Sequence, residues 1–115
     1  MKRSFARGRQ RVAGTMNGTE ANYASQLEIA RRVGDIQWFA FESIKLRLAP
    51  ATFYTPDFLV MLADSTLEVH EVKGHWEDDA RVKIKVAAEM FPFRFIAVSP
   101  VAKRDGGGWK IERFE

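Results

Sequence analysis

The sequence predicts a small α/β domain on a mixed sheet, with elements in the order α-β-β-β-α-β and a further strand at the end. Three observations carry this expectation. Helix-period segments at 17–35 and 76–91 are separated by stretches dense in aromatic and β-branched residues. Those stretches are bounded by Gly, Pro and Asp-Ser clusters, which punctuate strands. The second helix also joins two strands, and a strand–helix–strand connection within one sheet implies a right-handed crossover and a parallel pair.

The elements follow in chain order. "NGTEANYASQLEIARRVGD" (17–35) reads as a helix, with Asn17 or Thr19 able to cap it and Gly34 able to end it. Tyr23, Leu27 and Ala30 fall on its apolar face. "IQWFAFESIKLRLA" (36–49) is a strand closed by Pro50. "TFYTPDFLVML" (52–62) and "LEVHEVKG" (67–74) form a hairpin around "ADST". "WEDDARVKIKVAAEMF" (76–91) is the second helix, its acidic first turn suited to the helix dipole. "FRFIAVSP" (93–100) is a buried strand, "GGG" (106–108) a turn, and "WKIERF" (109–114) a last edge strand.

Bulk properties narrow the function classes. A chain of 115 residues supports one core, and 46% hydrophobic with 29% charged residues is ordinary for a globular domain. No apolar run approaches the roughly 20 residues of a membrane span, and no secretory leader is expected. With no cysteine, disulfide frameworks, thiolate metal sites and cysteine nucleophiles are excluded, and a cytoplasmic location is expected. Charge is uneven along the chain. Lys2, Arg3, Arg7, Arg9 and Arg11 precede any acidic residue, while the remainder is slightly acidic. Residues 1–16 therefore read as a basic, flexible arm suited to a polyanion or to solubility, and 17–115 as the domain.

The stretch with chemistry in it is "TPDF…LEVHEVKG". Asp57 follows a proline on one strand of the hairpin, and Glu71 and Lys73 flank Val72 on the other. Alternation puts Glu71 and Lys73 on one face and brings Asp57 within reach of Glu71. Two carboxylates this close repel unless a cation lies between them. A hard divalent ion such as Mg²⁺ suits them, because it takes oxygen ligands and needs few protein groups. The Val72 carbonyl could supply one more oxygen. Such an ion polarises a phosphoryl oxygen and acidifies bound water, and Lys73 could orient that water or offset developing charge. The implied chemistry is hydrolysis of a phosphodiester.

"TPD" followed after 13 residues by "EVK" resembles the signature of the PD-(D/E)XK nuclease superfamily. More narrowly, "YTPDF", "EVKGHWEDDARVKIKVAAEMFP" and "FRFIAV" resemble a small phage family of predicted nucleases related to the endonuclease I type of Holliday-junction resolvases. The resemblance spans about residues 16–98. It implies a restriction-endonuclease-like αβββαβ core, metal ligation by Asp57 and Glu71, and a catalytic role for Lys73. It also implies Mg²⁺, with Mn²⁺ substituting, and branched DNA as substrate, cut by a homodimer in the host cytoplasm. Many members add a glutamate from the first helix, for which Glu20 and Glu28 are the candidates. Glu20 lies roughly 20° from Leu27 on the helical wheel and Glu28 about 80° further round, so Glu20 is nearer the packed face. Nicking, repair or restriction-type cleavage, and a DNA-binding module without catalysis, are the alternative functions.

Plainer roles compete for the neighbouring residues. His75 could touch phosphate or simply sit in a loop, and His70, facing away from Glu71, suits packing or a surface position. Arg81, Lys83 and Lys85 could meet DNA backbone. However, the i, i+4 spacing of Glu77, Arg81, Lys85 and Glu89 describes a solvated, self-paired helix face. Trp38, Trp76 and Trp109 read as core or rim packing.

Overall fold

The computed structural model describes residues 14–74 and 78–115. Helix α1 (Gly18–Val33) begins at an Asn17 cap. The Glu20 N–H donates to Asn17 Oδ1 at 2.8 Å, and the Asn17 N–H donates to Glu20 Oε1 at 2.9 Å. This reciprocal pairing satisfies donors that a helix start otherwise leaves open. Gly34 ends the helix at φ 89°, a left-handed conformation that glycine adopts without a Cβ clash.

The strand expected over 36–49 is two strands, β1 (Ile36–Phe41) and β2 (Leu46–Ala49). Glu42, at φ 49°, turns the chain out of the sheet directly after β1. The strand expected over 52–62 likewise divides into β3 (Thr52–Tyr54) and β4 (Phe58–Leu62). Pro56 lies in the gap, where its missing N–H cannot serve a ladder. β2 and β3 pair with each other as a separate two-stranded sheet.

β5 (Leu67–Val72) returns antiparallel to β4, with Phe58 opposite His70. Helix α2 (Asp78–Met90) leads into β6 (Arg94–Pro100), which runs parallel to β5 as a helical crossover requires. A 3-10 turn (Lys103–Asp105) and three left-handed glycines precede β7 (Trp109–Phe114), antiparallel to β6. The result is an α/β domain with a mixed five-stranded sheet in the order β1-β4-β5-β6-β7. Among the described residues no helix is long and apolar enough to cross a membrane.

Helix α1 covers one face of the sheet, packing Tyr23 and Leu27 on Phe58, Val60, Val72 and Val98. The other face packs Val69, Phe95 and Ala97 against Ile84 and Ala87 of α2 and against Leu46 and Tyr54 of the small hairpin. Phe58 and Phe95 are fully enclosed, and each such side chain contributes about 1.5–3 kcal/mol. Arg81 also reaches from α2 across to β7, where it grips Glu112 with both terminal nitrogens at 2.5 and 3.1 Å. A planar guanidinium within reach of a carboxylate favours that bidentate geometry. Trp109 is half-buried, edge-on to Tyr23, whereas Trp38 is exposed; Trp76 and Glu77 lie outside the described residues.

Because β5 is central and covered on both sides, every residue from Glu68 to Val72 is buried. Three of them, Glu68, His70 and Glu71, are titratable, and burying such groups is costly unless they are paired. His70 and Glu68 face α1. The Tyr23 hydroxyl meets His70 Nδ1 at 2.7 Å, His70 Nε2 meets Glu68 Oε1 at 2.9 Å, and Arg94 holds Glu68 Oε2 at 3.0 Å. A carboxylate can only accept, so Nε2 carries the hydrogen, and in the neutral ring Nδ1 accepts from the tyrosine hydroxyl. His70 is therefore a link in a satisfied core chain, so of the packing and surface roles open to it the structure gives packing.

Candidate active site

Glu71 faces the other way, toward the end of the sheet where β4 begins. Asp57 enters there because Pro56, itself fully buried, sets the chain just before β4 takes up its ladder. Asp57 Oδ2 accepts from the Val72 N–H at 2.8 Å, so the carboxylate occupies a place in the β4–β5 seam. In return the Asp57 N–H reaches Glu71 Oε1 at 3.3 Å. Glu71 Oε1 also accepts from the Tyr54 hydroxyl at 2.6 Å, and Glu71 Oε2 pairs with Lys73 Nζ at 3.1 Å. The Lys73 N–H donates to the Val98 carbonyl at 2.9 Å, extending the parallel ladder one residue past β5 and fixing the lysine's origin.

These groups open onto one cavity of about 530 Å³, lined among others by Glu20, Glu42, Asp57, Glu71 and Lys73. Val72 lines it too, although its side chain belongs to the α1 core. A larger cavity of about 740 Å³ lies at the far end of the sheet, beside the β4–β5 turn. Its charged residues are Arg94 and Glu115 only, so it lacks convergent acid–base groups.

The electrostatics of the smaller cavity are strained. Asp57, Glu71 and Glu20 are all buried. Burial pushes the Asp57 carboxyl up to about 8, and the charges of Glu71 and Glu20 push the same way. The Val72 N–H and the Lys73 ammonium oppose that shift without cancelling it. Burial, and then the Glu71 charge, also raise the Tyr54 hydroxyl, which stays protonated and remains a donor. Beside the Glu71 charge, the Asp57 carboxyl ionises at ordinary cost only if additional positive charge is present.

Glu20 comes to the cavity through its helix cap, since the hydrogen bond to the Asn17 N–H turns its carboxylate back over the start of α1. Glu28 lies elsewhere. Arg31 grips it at 2.6 and 2.9 Å and Arg32 at 3.2 Å, and hydrogen bonding to Arg31 holds its carboxyl down at about 2. The structure thus brings Glu20, Asp57, Glu71 and Lys73 together and leaves Glu28 on the outer surface of the helix.

Two residues at the site were not singled out from sequence. Tyr54 anchors Glu71, and Glu42 lines the cavity while its N–H holds the Asp57 carbonyl at 2.8 Å. "YTPD" placed Tyr54 near the motif, but its role depends on β3 leaving the main sheet. His75 and the basic residues of 1–13 lie outside the described residues.

The donor set can be tested against a divalent ion. Among the described residues no group of three or more His, Asp or Glu side chains gathers around one point as a metal cage. What is present is a pair of buried carboxylates at the wall of an accessible cavity, Asp57 anchored through Oδ2 by the Val72 N–H and Glu71 through Oε1 by Tyr54 and the Asp57 N–H and through Oε2 by Lys73. That set fits Mg²⁺, which is commonly held by one or two carboxylates and completed by water and phosphate oxygens. It does not fit an ion that needs a closed protein shell. Compared with protein-family models, curated proteins and solved structures, the chain matches none.

Proposed function

We propose that this protein is a metal-dependent endodeoxyribonuclease that hydrolyses DNA phosphodiester bonds. The observation that carries the reading is the convergence of Asp57, Glu71 and Lys73 on one cavity from the seam of β4 and β5. Without the β2–β3 hairpin, the order α1-β1-β4-β5-α2-β6 is the αβββαβ succession of a restriction-endonuclease-like core, which supports the same reading. Within it, Asp57 and Glu71 would hold Mg²⁺, with Mn²⁺ able to substitute, and the Val72 carbonyl and Glu20 border the same space. A divalent ion bound there supplies an activated water and polarises the phosphate.

The chain's own residues have definable tasks. Asp57, with one oxygen fixed by the Val72 N–H, presents the other to the cavity. Tyr54 and the Asp57 N–H hold Glu71 Oε1, which leaves Oε2 beside Lys73. The Lys73 ammonium can donate to the attacking water or to a phosphate oxygen, where charge accumulates as the bond breaks. The acidic cavity excludes bare phosphate, so substrate entry depends on the cation that neutralises it.

The substrate this reading favours is branched DNA of the Holliday-junction type, cut by a homodimer in the cytoplasm of the host cell. The test is cleavage of supercoiled plasmid and four-way-junction DNA with Mg²⁺, beside a Lys73→Ala control and linear duplex. Junction cleavage that is absent without Mg²⁺ and lost in Lys73→Ala is the expected result. Tight binding with equal inertness of both proteins would replace the enzyme with a DNA-binding module, and faster cutting of linear duplex would move the substrate away from junctions.

A further inference from the structure

β7 forms one edge of the five-stranded sheet, with β6 on one side and, among the described residues, no strand on the other. An open edge is a template for pairing with another strand. The side chains of β7 divide cleanly between the two faces. Glu112 stands opposite Ala97 on the α2 face, where Arg81 holds it. Ile111 stands opposite Val98 on the α1 face and is 54% exposed. Lys110 and Glu112 therefore flank Ile111 on one face, and Trp109 and Arg113 flank it on the other.

We propose that two copies of this chain associate through β7, antiparallel, with Ile111 opposite its counterpart, so that the two sheets become one. A two-fold axis perpendicular to the sheet keeps each face continuous, so a residue can oppose only one of its own parity. Centring the pair on Lys110, on Glu112 or on Arg113 sets like charges face to face. Centring on Trp109 or on Phe114 sets most residues of β7 against positions outside Trp109–Phe114, so less of the strand pairs with its counterpart. Centring on Ile111 places Lys110 opposite Glu112 twice on the α2 face. On the α1 face the same register sets Trp109 against Arg113 twice, on either side of the Ile111 pair. Opposite charges, cation–π contacts and an apolar centre are the cross-strand pairs that stabilise a sheet. The charges of β7, which would repel a foreign strand, thus select a second copy in one register. An open groove of about 350 Å³ between α2 and the C-terminal half of β7 borders Glu112.

The spacing of the sites follows from the register. β5 and its counterpart are separated by five inter-strand steps, about 24 Å at ~4.8 Å each. Glu71 is level with Ala97 and hence with Glu112, one residue from the axis, and its counterpart is one residue to the other side. Both copies of the cavity's Glu71 then lie on one face in opposed directions, the disposition needed for two symmetric cuts. This consequence rests on the nuclease reading, whereas the association itself does not.

Sedimentation equilibrium of the full chain tests it, with an expected mass twice the 13.1 kDa of one chain. Ile111→Lys, which puts a charge at the centre of the seam, is expected to give the single-chain mass with an unchanged circular dichroism spectrum. Because the chain has no cysteine, Ile111→Cys introduces one thiol. Mild oxidation is expected to convert that variant to a covalent dimer but to leave Trp38→Cys, on the opposite edge strand, monomeric. A wild-type protein of single-chain mass at every concentration overturns the proposal. So does a dimer that survives Ile111→Lys, or crosslinking from position 38 in place of 111. None of these measurements uses DNA, so an inert but dimeric protein sinks the nuclease reading and leaves this one standing.

Discussion

Asp57 shows most directly what the site costs the protein. Its carboxyl titrates about 8 in the folded chain against an ordinary 3.8, with burial the main cause. A raised carboxyl favours folding while it is protonated, and that advantage is lost as pH climbs from the unfolded value through the folded one. The metal-free protein is therefore expected to lose several kcal/mol of stability between about pH 4 and pH 8, measurable as a falling Tm in the presence of a chelator. Asp57→Asn, which cannot ionise, is expected to flatten that profile, raise Tm at pH 8 and, on the proposed reading, abolish Mg²⁺-dependent cleavage. A steep profile that survives the substitution would show that Asp57 is not its source. Tyr54→Phe removes one of the two hydrogen bonds on Glu71 Oε1. On the proposed reading, in which Glu71 holds the metal, loss of a group that orients a ligand typically costs 10–100-fold in metal affinity, so half-maximal cleavage should shift to higher Mg²⁺ by about that factor. Glu28→Gln, at a carboxylate that pairs with Arg31 and Arg32 away from the cavity, should leave it unchanged.

Among the elements, α1 matters most to the site, because its first turn serves both stability and position. Asn17 accepts from the Glu20 N–H, and Glu20 accepts from the Asn17 N–H. Asn17→Ala is expected to lower stability by about 1 kcal/mol, the ordinary worth of such a cap. The variant should also weaken whatever Glu20 contributes at the cavity. Comparing Asn17→Ala with Gly34→Ala, which strains the other end of the same helix at φ 89°, separates the two effects. Both should reduce Tm in urea or thermal melts, but only Asn17→Ala should alter Mg²⁺ dependence. The elements also show where reading the chain in one dimension fell short. Both helices and all the strands of the main sheet lie within the segments expected from period and punctuation. The β2–β3 hairpin was missed because its residues are as rich in strand formers as their neighbours. Only the turn at Glu42 and the missing donor of Pro56 separate them from the main sheet. Tyr54 escaped notice for the same reason.

At the scale of the whole molecule, two buried layers hold the central strand, and the titratable end of that strand opens to the cavity. Phe58 joins β4 to the α1 layer with no exposed surface. Phe58→Ala should cost about 3–5 kcal/mol, read as a lower denaturation midpoint, and so sets the scale for the milder changes at the site. The basic residues before position 14 act, on the proposed reading, over longer range. Removing residues 1–13 deletes five cations. Since each phosphate contact contributes about 0.9 to the salt dependence of binding duplex DNA, the slope of log affinity against log salt should flatten by up to about 4.5. Cleavage per bound complex should be unchanged.

The sequence by itself was enough for the α/β class, the two helices, the parallel crossover and the grouping of Asp57, Glu71 and Lys73, because those depend on local period and on alternation along a hairpin. It also favoured Glu20 over Glu28, since angular position on a helix is a local property. Only the tertiary structure decided how these groups are held. The Val72 N–H on Asp57, the Tyr54 hydroxyl on Glu71, the cap that turns Glu20 toward the cavity and the crossing of Arg81 to Glu112 all join or orient groups through three-dimensional packing. Hydrogen bonds of this kind have no periodic signature in a sequence. They depend on which strand leaves the sheet and on which backbone donor is then left facing a buried charge.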